Sequence, residues 1–425
     1  MPRRLTTITR LTCALALVII GPVATAGPDT ADGVAGGRTW YVATDGDDDG
    51  AGTIEDPFAS WQRGIDAARR GHRIVVAPGT YSAGPDGVTI PRSGTREAPI
   101  RLEAADAGDR PVLDCTGLDA DQLVCVEIDG AWWHISGVEI VGTPQPSGDT
   151  PYAVLMDETR HDTLENVAVH DNHGVGIAII DDSRHNLLRN VDAYRNQDEA
   201  TDPEPYENGD GIDLSGLRSS GVGNRVVGCR VWWNADDGID LWESEAAVEI
   251  RRCWSFRNGY IAGTTEPAGN GQGYKLGRNF DAPRHVVTRN LAWGNRSYGF
   301  DENGASGRMT FHHNTSFRNG EGQYAMYAGL RHVMRNNVAL PDRSDIADEV
   351  DDRFNSWTMP VLVTRRDFRS TSWVGADGPR DADGSLPRLP FLRLRAGSDL
   401  VDAGKDVGWP YEGADPDLGA YERRH

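Results

Sequence analysis

"NGDGIDLSG" at 208–216 and "NADDGIDLWES" at 234–244 repeat one motif: an Asn, a Gly, and a short run in which an acid follows an isoleucine. Versions of the same run recur as "GIAII" (176–180), "GIDLS" (211–215), "GIDLW" (238–242), "GYKLG" (273–277) and "GFDEN" (299–303). The leading glycines, Gly176, Gly211, Gly238, Gly273 and Gly299, are separated by 35, 27, 35 and 26 residues. A column of asparagines, Asn172, Asn196, Asn234, Asn258, Asn295 and Asn319, steps by 24, 38, 24, 37 and 24. Each column explains the irregularity of the other. Asn172, Asn234 and Asn295 lie four residues before their glycine, whereas Asn196 and Asn258 lie fifteen before theirs. Two 11-residue insertions, 197–207 and 259–269, account for the excess, and without them the period is close to 24.

A period of that length with three short strand-like runs is one coil of a solenoid, and each coil buries its apolar face only by stacking on its neighbours. The reading is all-β, a parallel β-helix. Alternation along each strand turns Ile177, Ile212, Ile239, Tyr274 and Phe300 inward. It turns Ala178, Asp213, Asp240, Lys275 and Asp301 outward, one above another at the ~4.8 Å strand spacing. The asparagines are expected to stack as a hydrogen-bonded amide ladder at a bend and are assigned no chemistry.

The ends differ from the repeat. Arg3 and Arg4, an apolar stretch from Leu11 to Val23 and "ATA" at 24–26 read as a secretory signal peptide, residues 1–26, followed by a linker at 27–37. Residues 38–110 are expected to form an N-terminal cap and the first coils, with an amphipathic helix around Ser60–Arg70 covering the open end of the stack. Residues 111–340 form the main β-helix, and 341–425 hold C-terminal coils and surface loops. The acidic run "DGDDDG" at 45–50 is read as a solvated turn. No second apolar segment has spanning length, so the exported chain is expected to be soluble, extracellular and monomeric.

The formal net charge is −21, and the leader carries three Arg and no acid, so the remainder is more negative still. That argues against nucleic acid as a partner. Four cysteines follow the leader, none in a CxxC pair. Cys229 and Cys253 stand 24 apart and stack on adjacent coils, and Cys115 and Cys125 close a short loop. In an exported chain both pairs are expected as disulfides.

The carboxylates carry the chemistry. Asp210 and Asp213 lie on one coil, Asp236, Asp237 and Asp240 on the next. One Asp-Gly pair is an ordinary turn. Two copies in register, with Asp236 added, crowd enough negative charge to require a cation, and an oxygen-only donor set points to calcium. Lys275 stands in the Asp240 column one coil further on. A nearby cation and partial burial are both expected to lower its pKa, which would make it a general base.

Taken together, "NGDGID" (208–213), "NADDGIDLWES" (234–244), "GNGQGYKLG" (269–277) and "RNLAWGNRSYGFDENG" (289–304) resemble the family 9 polysaccharide lyases, chiefly pectate lyases. The resemblance covers most of 39–425 and is strongest over 208–320. It implies a right-handed parallel β-helix that binds Ca2+ through aspartates falling on Asp210, Asp236, Asp237 and Asp240, with a lysine base falling on Lys275. It further implies β-elimination on an acidic polysaccharide, most simply pectate. The chain departs from the family's pattern at Asp213 and in "GYKLGR", where a second glycine gives way to Arg278. Arg278 and Arg296 are candidates to bind uronate carboxylates, and the two insertions are placed to wall a groove. Other readings of the residues are a C5-epimerase or lyase on another uronate polymer, a glycoside hydrolase, and a non-catalytic carbohydrate-binding solenoid.

Overall fold

A computed structural model describes residues 37–278, 284–327 and 331–423; the expected signal peptide and nearly all of the linker lie outside these. Among the described residues, three parallel sheets run the length of the molecule, with 11, 10 and 10 strands. Each coil contributes one strand to each sheet. The first sheet runs from Thr39–Val42 to Val333–Arg335, the second from Val88–Ile90 to Asp345–Ile346, and the third from Thr80–Ser82 to Val338–Leu340. The repeat read from the sequence is therefore the coil of a parallel β-helix.

Its register is the expected one. Ile177, Ile212, Ile239, Tyr274 and Phe300 pair in succession across the second sheet, and all five are fully buried. Tyr274 and Phe300 stack with ring centroids 4.6 Å apart, and Phe300 and Tyr324 continue the pile at 5.1 Å. The asparagine column is a ladder of side-chain amides: Asn172, Asn196, Asn234, Asn258 and Asn295 each donate Nδ2 to the Oδ1 of the next member at 2.9–3.0 Å. The glycine column exists because of that ladder. A Cβ on Gly211 would stand 2.6 Å from Asn234 Nδ2 and 2.8 Å from the Gly238 carbonyl oxygen. A second ladder, Asn290, Asn314, Asn337 and Asn355, marks another bend and escaped the sequence reading.

At the N-terminus a helix spans Trp61–Ala67, shorter than expected, because its chain turns extended at Ala68. Ser60 caps it by accepting from the Arg63 amide. Trp61 and Ile65 face Val88, Ile90 and Leu102 and close the apolar end of the stack. The acidic turn has a structural use: Asp48 accepts from the Ala59 and Ser60 amides at 2.8 and 2.9 Å and so fixes the entry to the helix.

One expectation needs correction. Cys115 and Cys125 are bonded, with Cα atoms 5.8 Å apart, but Cys229 and Cys253 are buried free thiols. Stacking on adjacent coils does not by itself make a disulfide, which also needs the two Cβ atoms to approach in a specific geometry. The Cys229 amide donates to Cys253 Sγ instead, at 3.4 Å. The C-terminal region, expected as coils and surface loops, packs back onto the β-helix. It carries Phe368, Phe391, Leu394 and Leu418 onto the outer face of the third sheet, where they bury Trp232, Trp254, Phe256 and Trp293 in a second apolar cluster. Arg380 from this segment joins Arg230 on the buried Asp192 carboxylate, each guanidinium 2.6 Å away. Removing these outward aromatics from water is what holds the segment down.

Candidate active site

The outward column of the second sheet stacks as read: Ala178, Asp213, Asp240, Lys275 and Asp301 are consecutive register partners. Outward here does not mean solvated. Asp240, Lys275 and Asp301 are buried. Each aspartate commits one oxygen to a backbone amide. Asp210 Oδ1 accepts from the Asp237 amide (2.9 Å), Asp237 Oδ1 from Gln272 (2.6 Å), and Asp240 Oδ1 from Trp242 (2.8 Å). The second oxygens of Asp237 and Asp240 turn to Lys275 Nζ, at 2.9 and 2.8 Å. Asp236 stands 4.0 Å from the same nitrogen, and its carboxylate accepts from the backbone and side-chain nitrogens of Asn270.

One carboxylate oxygen from each of Asp210, Asp237 and Asp240 lies within 4.8 Å of the other two, and among the described residues no other group of metal-capable side chains converges this way. This donor set fits a hard divalent ion. Calcium takes six to eight oxygens, so three carboxylates leave positions for water and a substrate oxygen. Asp236 is held at the margin of the cluster by Asn270.

Burial first, and then crowding, raises the pKa values of Asp210, Asp237 and Asp213. Burial, then the charges of Asp240, Asp236 and Asp237, push Asp210 well up; burial and Asp236 do the same for Asp237. Asp213 is pushed to about 7 by burial and by Asp240. For Lys275 in the metal-free cluster the direction is upward. Burial lowers its pKa, but Asp237, Asp240, Asp236 and Asp210 together outweigh burial and hold the ammonium well above the usual lysine value. Four neighbouring anions stabilise the cation more than desolvation penalises it. In the metal-free arrangement Lys275 is the cation that keeps the aspartates together.

The two insertions meet beside this cluster. Asn270 Nδ2 donates to Glu207 Oε2 at 2.7 Å, and Asn208 donates to Asp198 from both its backbone and its side chain. A third loop, 144–151, joins the wall through Gln145, which bonds Thr201 Oγ1 and the Ala200 amide, both at 2.8 Å. Arg296 Nη1 donates to the Gly269 and Asn270 carbonyls at 2.7 and 3.1 Å, so this side chain pins the second insertion. Arg278 is exposed, its guanidinium 5.9 Å from the centre of the Trp242 ring. Asn270 and Gln272 were missed as site residues. Both sit in "GNGQG" at 269–273, and the signal was their place immediately before the column glycine.

The same architecture recurs in known proteins. Residues 40–337 match the family described as Pel9A-like, right handed beta helix region. The chain is 36% identical to pectate lyase L of Dickeya dadantii (strain 3937) over 410 residues, covering 93% of each chain. It is 28% identical to pectate lyase PEL9 of Emericella nidulans over 396 residues, covering 85% of this chain and 93% of that one. The crystal structure of pectate lyase Pel9A is 33% identical and superposes with a TM-score of 0.80, covering 92% of this chain and 98% of its own. A solved rhamnogalacturonan lyase is 27% identical with a TM-score of 0.75, covering 85% and 97%. The period-24 coil, its amide ladder and the aspartate–lysine column are thus embedded in a chain that is similar to these enzymes along nearly its whole length, and the chain belongs to the Pel9A-like right-handed β-helix family.

Proposed function

We propose that this protein is a secreted, calcium-dependent lyase that cleaves a uronic-acid polymer, pectate foremost, by β-elimination with Lys275 as the base. It is a polysaccharide lyase of the pectate lyase type. The observation that carries the finer reading is the lysine held 2.8 and 2.9 Å from two carboxylates of a buried three-aspartate cluster. Asp210, Asp237 and Asp240 would hold Ca2+, with Asp236 as the flanking fourth carboxylate. Bound calcium would supply a positive charge against the substrate carboxylate and the enolate charge that develops beside it.

The side chains do the rest. The backbone amides of Asp237, Gln272 and Trp242 fix the aspartates, so their free oxygens are aimed before any ligand arrives. Neutralising these carboxylates removes what raises the Lys275 pKa and leaves burial, which lowers it. Lys275 Nζ then accepts the C5 proton, the C5–H pair becomes the C4–C5 double bond, and the C4–O bond breaks with its electrons on the departing oxygen. That oxygen takes a proton from water. The product is a 4,5-unsaturated uronate at the new non-reducing end. Arg278, exposed at the end of the Lys275 strand, supplies a cation for a neighbouring uronate; Arg296 positions the insertion that walls the site. Residues 1–26 direct export, and the chain acts as a monomer.

The test is ultraviolet absorbance of unsaturated products on pectate, rhamnogalacturonan and alginate, with calcium or chelator, for wild type and Lys275→Ala. Calcium-dependent unsaturated ends from pectate, absent in the variant, are expected. Saturated products would make the protein a hydrolase, and none at all would remove the lyase reading.

A further inference from the structure

Two residues beyond the site column, the chain has left each strand of the second sheet for the bend that follows it. Two positions on from the register partners Asp213, Asp240, Lys275, Asp301 and Ala325 stand Ser215, Trp242, Gly277, Asn303 and Tyr327, one on each successive coil. The row holds two aromatic rings with a low stretch between them. At Gly277 φ is +137°, and a Cβ there would lie 2.6 Å from that of Ala305, so no side chain fits on the coil of Lys275. Asn303 folds back to donate Nδ2 to the Gly277 carbonyl at 2.7 Å and stays out of the way. Trp242 is half-buried, with the exposed Arg278 guanidinium against its ring. Tyr327 is 47% exposed, a large ring left open to solvent. Its amide is fixed to Glu302 Oε1 at 2.9 Å, and its hydroxyl engages Asp301, the register partner of Lys275.

We propose that Trp242 and Tyr327 are substrate-positioning residues, two stacking platforms that lay a uronate chain along the helix axis across Lys275. This rests on the lyase reading and adds the direction of the polymer and the placing of its neighbouring sugars. Trp242 lies one coil from Lys275 on the N-terminal side, and Tyr327 lies two coils away on the other. Their separation is about 14 Å at the ~4.8 Å coil spacing. One pyranose advances by about one coil, so the sugar next to the reacting one rests on Trp242, and a sugar further along the opposite arm rests on Tyr327. An aromatic face takes the apolar C–H face of a pyranose, and the planar guanidinium of Arg278 suits the carboxylate of the sugar on Trp242. The Tyr327 platform has acidic neighbours and serves by stacking alone.

The test uses a galacturonate hexamer with calcium and four proteins: wild type, Trp242→Ala, Trp242→Phe and Tyr327→Ala. Binding is followed by calorimetry, and turnover by chromatography of the unsaturated products. Each alanine variant is expected to raise the Kd and KM about tenfold, with kcat changing much less. The bond cleaved should shift in opposite directions along the hexamer in the two variants, because they remove opposite arms. Trp242→Phe, which keeps a ring face, should restore most of the binding and the wild-type bond. An alanine variant with wild-type affinity and cleavage position overturns the proposal, as does failure of wild type to bind the hexamer. Binding that weakens as expected while no unsaturated product forms from wild type would uphold the platforms and sink the lyase chemistry.

Discussion

Replacing Lys275 with alanine should separate three quantities that an ordinary surface lysine would leave together. The first is turnover. Proton transfer by a positioned base contributes about 10²–10⁴-fold, so unsaturated-product formation should fall by at least that range, and Lys275→Arg should not restore it because guanidinium keeps its proton. The second is stability without metal. Lys275 pairs with Asp237 and Asp240 inside the protein, where the three side chains are 11%, 0% and 6% exposed. Breaking a buried pair costs about 3–5 kcal/mol. Protonation of aspartates whose pKa values are already raised offsets part of that, so the low end applies, a fall in Tm of roughly 4 °C in chelator. The sign follows from the raised pKa: the contribution of the lysine is full below its unfolded value of about 10.4 and is lost only as pH rises through the higher folded value. At neutral pH the whole effect is therefore visible. The third quantity is calcium affinity. Removing a positive charge less than 3 Å from the cluster should tighten binding by at least tenfold, on the order of the ~1.4 kcal/mol that one decade requires. Calorimetric calcium titration, thermal melts in chelator and in calcium, and the ultraviolet assay measure the three. A folded variant that keeps more than about 1% of turnover, or that binds calcium more weakly than wild type, would refute the assignment of Lys275 as both base and internal counter-ion.

Other outcomes follow from the same geometry. Because Asp210 and Asp237 have raised pKa values, the metal-free protein is most favoured at low pH and loses that advantage as pH rises through their folded values; the rise in Tm on adding calcium should grow from pH 5 to pH 8, and a constant increment would contradict the cluster as the binding site. Asn234→Ala removes a rung that accepts from Asn196 and donates to Asn258 inside the stack; leaving a buried amide without its partner should cost about 2–3 kcal/mol in denaturant unfolding, and a loss below about 0.5 kcal/mol would make the ladder decorative. Thiol titration of oxidised protein lacking residues 1–26, under denaturing and non-reducing conditions, should find the two groups of Cys229 and Cys253; none would restore the second disulfide.

The sequence by itself determined whatever repeats. A solenoid is periodic along one axis, so a constant spacing of Asn and Gly converts directly into strand register, and register placed Asp240, Lys275 and Asp301 in one column before any coordinates. The insertions were legible for the same reason, as departures from the period. The tertiary structure alone decided what depends on side-chain direction and on contacts outside the repeat. Cys229 and Cys253 have the sequence spacing of stacked neighbours and are nonetheless free thiols. Arg380, which lies outside the repeat, reaches Asp192 across 188 residues. The sequence showed that Lys275 and the aspartates are neighbours but not which force governs the lysine. Its proton affinity is a small difference between burial and four nearby charges, and only the distances of 2.8 to 4.0 Å to three of those carboxylates, in a covered site, turn that difference toward the ammonium.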